Sequence, residues 1–192
     1  IRHAIVRKQS KLDRMAFERE LFAVRKKIER AFADAGQGRA YIPSFSSRTI
    51  VYKGLMVADQ LAAFYRDLAD PDFETTLAVF HQRYSTNTMP RWSLAQPFRM
   101  LAHNGEINTL QGNVNLMAAR EPALSSEIWG DAIDDLKPVI ASGASDSSAL
   151  DNTLEMLSLS GRDSLHSLAM LVPPAFEGDD AMDPDVRAFY RY

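Results

Sequence analysis

Phe17, Leu21, Val24, Ile28 and Ala31 follow one another at steps of four, three, four and three, a spacing that keeps apolar side chains on one face of a helix. The pattern predicts a long helix from Ser10 to Ala35, with Ser10 and Asp13 spaced as a capping box and Gly36 and Gly38 ending it. A different rhythm follows. The segments AYIPSF and TIVYKG, on either side of Ser46-Ser47, and then LAVFHQRY (77–84) and FRMLAH are apolar and partly alternating, which predicts strands. Between them a short helix is expected to start at Asp59 and cover LAAFYRDL, and Asp70-Pro71-Asp72 forms a loop.

The helical period returns after Asn104-Gly105. NTLQGNVNLMAARE reads as a helix despite Gly112, and PVIAS as another strand-like piece. SDSSALDNTLEMLSLSG (145–161) is a strong helix, with Ser145 or Asp146 as N-cap and Gly161 just past its end. A third helix runs from Ser164 to Leu171, and the acidic, loop-rich tail closes with a helical turn or two after Asp183-Pro184. Strands and helices mix without a βαβ rhythm, so the expected fold class is α+β, with residues 1–192 in a single domain.

At 192 residues and 46% hydrophobic, the chain can bury a core by itself or as part of a larger domain. The net charge of −3 gives no basic footprint, and Arg25-Lys26-Lys27 sits within a mixed-charge helix, so no nucleic-acid partner is expected. No apolar run approaches the roughly 20 residues needed to span a bilayer. The opening IRHAIVRKQS also lacks the apolar segment of a signal peptide, so no membrane partner and a cytoplasmic location are expected. The absence of cysteine excludes disulfides, thiolate metal sites and a cysteine nucleophile within these residues.

Several site types lack support. Gly36-Gln37-Gly38 has no third glycine of a dinucleotide loop, and no lysine follows a glycine at P-loop spacing. His3, His81, His103 and His166 are scattered without paired ligand spacing, and a satisfied structural histidine is the better reading of each. GASDS, around Ser145, misses the second glycine of a nucleophile elbow.

What remains is a set of polar residues at the ends of predicted elements: Arg83 and Thr86 in HQRYST, Asn104 and Gly105 in HNGE, and Asp146 in SDSS. Each has an ordinary reading. Arg83 fits a surface position, Asp146 a helix cap, and Asn104-Gly105 a type I′ hairpin turn. The same residue types also suit a free α-amino acid, with an arginine fork for its α-carboxylate and an acid for its α-ammonium group. Attack on a side-chain amide would require in addition two neutral donors aimed at the oxyanion, which Asn104 and Gly105 could supply.

FHQRYSTNTMPRWSLAQPFRMLAHNGEINTLQGN, with SRTIVYKG before it, ASDSSALDN after it and the tail MLVPPAFEGDDAMDPDVRAFYRY, resembles the class II glutamine amidotransferase domain of the glutamate synthases. The resemblance runs over nearly the whole chain. It implies that Arg83 holds the glutamine α-carboxylate, with Thr86 in the neighbouring loop, and that Asp146 receives the α-ammonium group. It likewise implies an oxyanion hole made by the Asn104 side-chain amide and the Gly105 N–H. There, glycine would let the backbone approach the substrate closely.

The resemblance further implies an αββα sandwich and an N-terminal cysteine nucleophile whose own α-amino group acts as base. This chain starts at Ile1 and has no cysteine. It is therefore expected to be the C-terminal part of a glutaminase domain, inactive alone and prone to self-association through exposed sheet edges. FMN and an iron–sulfur cluster are implied for other regions of the parent enzyme, with none in this segment. A small subunit or ferredoxin is implied as electron donor. Two alternatives stand beside this: another class II amidotransferase, such as an asparagine synthetase or a sugar-phosphate amidotransferase, and a non-catalytic amino-acid-binding module.

Overall fold

The computed structural model describes residues 4–9, 11–82, 89–105, 107 and 109–191. Among these residues the α-helices are α1 (Arg14–Asp34), α2 (Leu61–Phe64), α3 (Gln111–Arg120), α4 (Asp146–Leu159), α5 (Ser164–Leu171) and α6 (Pro184–Arg191), with 3₁₀ segments in the loops before α4. The first helix opens at Arg14 because the Asp13 carboxylate accepts the Ala16 N–H at 2.7 Å, which satisfies one of the orphan donors of the first turn. Ser10, the other half of the expected capping box, lies outside the described residues. Asp163 caps α5 in the same way, accepting from both Leu165 and His166. Past the end of α4, Gly161 takes a φ of +94°, a conformation open to glycine at no steric cost.

The core forms where α1 and α4 meet the chain that links them. Phe22 of α1 and Met156 of α4 pack with Trp129, Ile133, Leu136 and Val139, and Leu136 is wholly buried. Truncating Leu136 to alanine would cost about 2–5 kcal/mol through lost burial and the cavity left behind. Trp129 joins the cluster while its indole N–H donates to Ser160 Oγ at 2.8 Å, so a large apolar ring is buried without orphaning its one polar atom. An ion pair ties the same two helices: Arg25 Nη2 lies 2.6 Å from Glu155 Oε2, both side chains being largely buried.

No strand occurs among the described residues, which corrects the α+β class and the αββα sandwich expected above. An alternating pattern favours extended backbone, but a strand exists only as a ladder with a second extended segment. Here side-chain oxygens take the donors that a ladder would use. In FRMLAH the N–H groups of Arg99, Met100 and Leu101 go to the Asp151 carboxylate, and that of His103 to Gln96 Oε1. Ser47 N donates to Glu18 Oε1, Val51 N to Ser44 Oγ and Val139 N to Glu121 Oε1. In LAVFHQRY, residues 77–82 have no regular structure, with Leu77 76% and Phe80 85% exposed.

One interior cation is held without an anion in contact. Lys53, buried, donates to the carbonyls of Ser93 and Ala95 at 3.0 Å and to the Tyr41 hydroxyl at 3.3 Å, with its Nζ near the faces of Tyr41 and Phe98. All three ammonium donors are satisfied, and the rings add cation–π attraction. Burial nevertheless disfavours the charge and lowers the Lys53 amine to about 8. The arrangement pins the TIVYKG segment to the run that leads into FRMLAH.

Candidate functional site at the start of helix α4

The helix α4 begins with Ser145 as N-cap, its hydroxyl accepting from Ser148 N at 3.2 Å. Asp146 is therefore the first helical residue and stays half-buried at the rim. Its Oδ1 accepts the Ser147 N–H at 2.6 Å and the Ser147 hydroxyl at 3.3 Å. The other carboxylate oxygen has no hydrogen bond among the described residues, and a cationic ligand group could occupy it.

Ser147 also lies against the second motif, its Oγ 2.7 Å from His103 Nε2. One hydroxyl thus bridges HNGE and SDSS, 44 positions apart in the chain. Asn104 and Gly105 follow His103 directly and are exposed. Behind them, His103 and Asp146 line a cavity of about 1060 Å³ together with Ile107, Thr109, Asn113 and Arg120. Such a cleft, largely apolar with a few convergent polar groups, is the usual form of a small-molecule site.

The geometry changes the hairpin expectation. Neither Asn104 nor Gly105 has a positive φ, whereas a type I′ turn needs one at both central residues. Among the described residues there is no ladder for such a turn to close. A Cβ built on Gly105 would meet, among the described residues, only His103 Nδ1, at an ordinary 3.6 Å. Arg83 and Thr86 lie outside the described residues. Of the expected site residues, the structure brings Asn104-Gly105 and Asp146 to one region.

Two residues not singled out from the sequence hold this region together. Asp151, fully buried, accepts from Met100 N at 2.7 Å and Leu101 N at 3.2 Å, with Arg99 N at 3.4 Å. Burial raises its carboxyl to about 7, against the pull of the Met100 and Leu101 N–H groups, which favour the charged form. Ser147, the bridge, is one helical turn before it. The signal was present as Ser147, Asp151 and Glu155 at successive steps of four on a helix otherwise rich in apolar residues, which puts three polar groups on one face.

The sequence model of the class-II glutamine amidotransferases matches residues 1–192. The chain belongs to that family. Among the relatives of this amidotransferase chain, a ferredoxin-dependent glutamate synthase from Pyropia yezoensis is 47% identical over 190 residues, covering 96% of the chain and 12% of that protein. The large chain of an NADPH glutamate synthase from Azospirillum brasilense is 47% identical over 176 residues, 92% of the chain and 12% of the relative. That from Bacillus subtilis (strain 168) is 44% identical over 180 residues, 94% and 12% respectively. The amidotransferase chain thus spans about one eighth of the length of these relatives. No helix among its described residues is long and apolar enough to cross a membrane.

Proposed function

We propose that these residues form the glutamine-binding and oxyanion-stabilising part of the amidotransferase of a glutamate synthase. In that reading the complete enzyme hydrolyses L-glutamine to glutamate and ammonia, and the ammonia serves the reductive amination of 2-oxoglutarate in glutamate biosynthesis. The observation that carries it is the Ser147 bridge from His103 to Asp146, because it ties the residue just before Asn104-Gly105 to a carboxylate on a cavity that His103 and Asp146 both line. In the proposed roles, Asp146 takes the α-ammonium group and Arg83, with Thr86 beside it, holds the α-carboxylate. Asn104 Nδ2 and the Gly105 N–H stabilise the oxyanion that forms when the side-chain amide is attacked.

The attacking thiolate is assigned to a cysteine outside these 192 residues, which contain none. An oxyanion hole with nothing positioned to attack retains only a small residual effect. FMN and the iron–sulfur cluster are assigned elsewhere in the polypeptide too. The residues here do not suit a cluster, since there are no thiolates, and among the described residues no group of three or more His, Cys, Asp or Glu could hold a metal ion. A glutamine-side role is indifferent to the electron donor, in keeping with equal identities of 47% to a ferredoxin-dependent and an NADPH relative.

The test is glutamate release from L-glutamine by the 192-residue chain and by the same gene's product expressed from its natural start. Activity confined to the longer protein supports the proposal. Activity in neither favours a non-catalytic amino-acid-binding module, and activity in the short chain overturns the assignment of the nucleophile.

A further inference from the structure

We infer that Ser147 and Asp151 are positioning residues which lock the oxyanion turn to the same helix that carries the ammonium-binding Asp146, so that both ends of the substrate are referenced to α4. The inference rests on the proposed glutamine reading. Its geometric basis is a single polar stripe. Asp151 gathers three consecutive N–H groups, those of Arg99, Met100 and Leu101, and Ser147, one turn earlier, catches the His103 ring at 2.7 Å. The run 99–103 is therefore fastened at both ends to one face of α4, and Asn104 and Gly105 are the next two residues. Gln96 Oε1 adds a third fastening by accepting the His103 N–H at 2.7 Å. Asp146 is adjacent to Ser147 on the rigid helix and bonded to it.

A helix fixes its own residues to within tenths of an ångström, whereas an unladdered loop has no such restraint. The Ser147 and Asp151 contacts give the loop the helix's precision. The expected consequence is kinetic and asymmetric. Releasing the loop displaces the oxyanion donors, which act in the transition state; Asp146, which acts already in the ground state, loses only the long 3.3 Å hydroxyl contact and keeps the 2.6 Å bond from the Ser147 backbone N–H. A displacement of about 1 Å at such donors can cost up to about 10²-fold in rate.

The experiment measures kcat and KM for glutamine in the full-length gene product, for Ser147→Ala, Ser147→Thr and Asp151→Asn, with Asn104→Ala alongside. Ser147→Ala is expected to lower kcat about 10-fold or more with KM changed less than about threefold, and Asp151→Asn to act in the same sense. Ser147→Thr, which keeps the hydroxyl, should restore most of kcat. The inference is overturned if Ser147→Ala keeps kcat within about twofold while Asn104→Ala loses it, or if the threonine and alanine variants fall equally, which marks a packing role. An Asn104→Ala variant with undiminished kcat removes the glutamine reading itself, and the inference with it.

Discussion

Residues 99–103 and residues 77–82 carry equally strand-like sequences, and the molecule treats them in opposite ways. In the first, every N–H from Arg99 to Leu101 meets a buried carboxylate and His103 is tied to Ser147. In the second, Leu77, Val79 and Phe80 face solvent, at 76%, 58% and 85% exposure. Apolar alternation yields a ladder in neither: the chain bends at Arg99 and Met100, with Phe98 N donating to Leu101 O at 2.9 Å, and residues 77–82 have no regular structure. What each segment lies against decides whether it becomes a fixed support or an open apolar surface. The catalytic assignment depends on the first behaviour, because donors aimed at an oxyanion act only if they are held in place.

The sharpest way to break the comparison is at the turn that 99–103 supports. In the full-length gene product, Asn104→Ala should lower kcat about 10²–10³-fold with little change in KM. Arg83→Ala should instead mainly raise KM, since it removes an interaction made before the chemical step. Steady-state kinetics of the two variants test the pair of roles, and the reverse pattern refutes them. Within the 192-residue chain, Asp151→Ala removes the acceptor of three partly buried N–H groups and should cost about 1–3 kcal/mol of stability, read as a lower denaturant midpoint.

A smaller effect is a pH profile. Asp151, raised to about 7, binds a proton in the folded chain that the unfolded chain has already released. Its contribution is therefore complete below about 4 and lost as pH climbs through 7. Lys53, lowered to about 8, runs the other way: the unfolded chain holds the extra proton, so stability recovers as pH rises from about 8 towards 10.5. Denaturation midpoints should pass through a trough between these windows, and Asp151→Asn should flatten only its acidic side. A trough unchanged in Asp151→Asn would remove Asp151 as its source.

The least effect on stability is expected at the exposed segment. Phe80→Ser should change the denaturation midpoint by no more than about 0.5 kcal/mol in free energy. If this surface drives self-association, the same substitution should shift light-scattering mass on gel filtration towards the monomer. A wild-type chain that already elutes as a sharp monomer would sink that expectation.

The helices were readable because their determinants are local. The cap at Ser145 and the glycine at 161 act within a turn or two, and α5 spans the expected Ser164–Leu171. Of the expected apolar face of α1, Phe17 and Leu21 are buried but Val24 and Ile28 are exposed, and Phe22 and Arg25 take the inner side instead. The strands were misread because a ladder depends on a distant partner that periodicity cannot name, and Asp151 took those donors instead. At the site, Asp146 and Asn104-Gly105 were named from residue type and wording, and the structure brings them to one region through Ser147; their roles are proposed. Ser147 and Asp151 were not singled out, since a buried serine and aspartate look like ordinary helix surface until the facing backbone is known. Arg83 and Thr86 were named from the sequence and lie outside the described residues.

The caged Lys53 gives the region a built-in clock. Burial lowers its amine to about 8; an opening that lets water in returns it to an ordinary lysine nitrogen, which an acylating reagent can reach. While Tyr41, Phe98 and the two carbonyls surround it, the reagent has no path to the nitrogen. The rate at which Lys53 is labelled thus counts the openings of this cage, and comparing that rate with and without glutamine would show whether a bound ligand steadies the run that leads into FRMLAH.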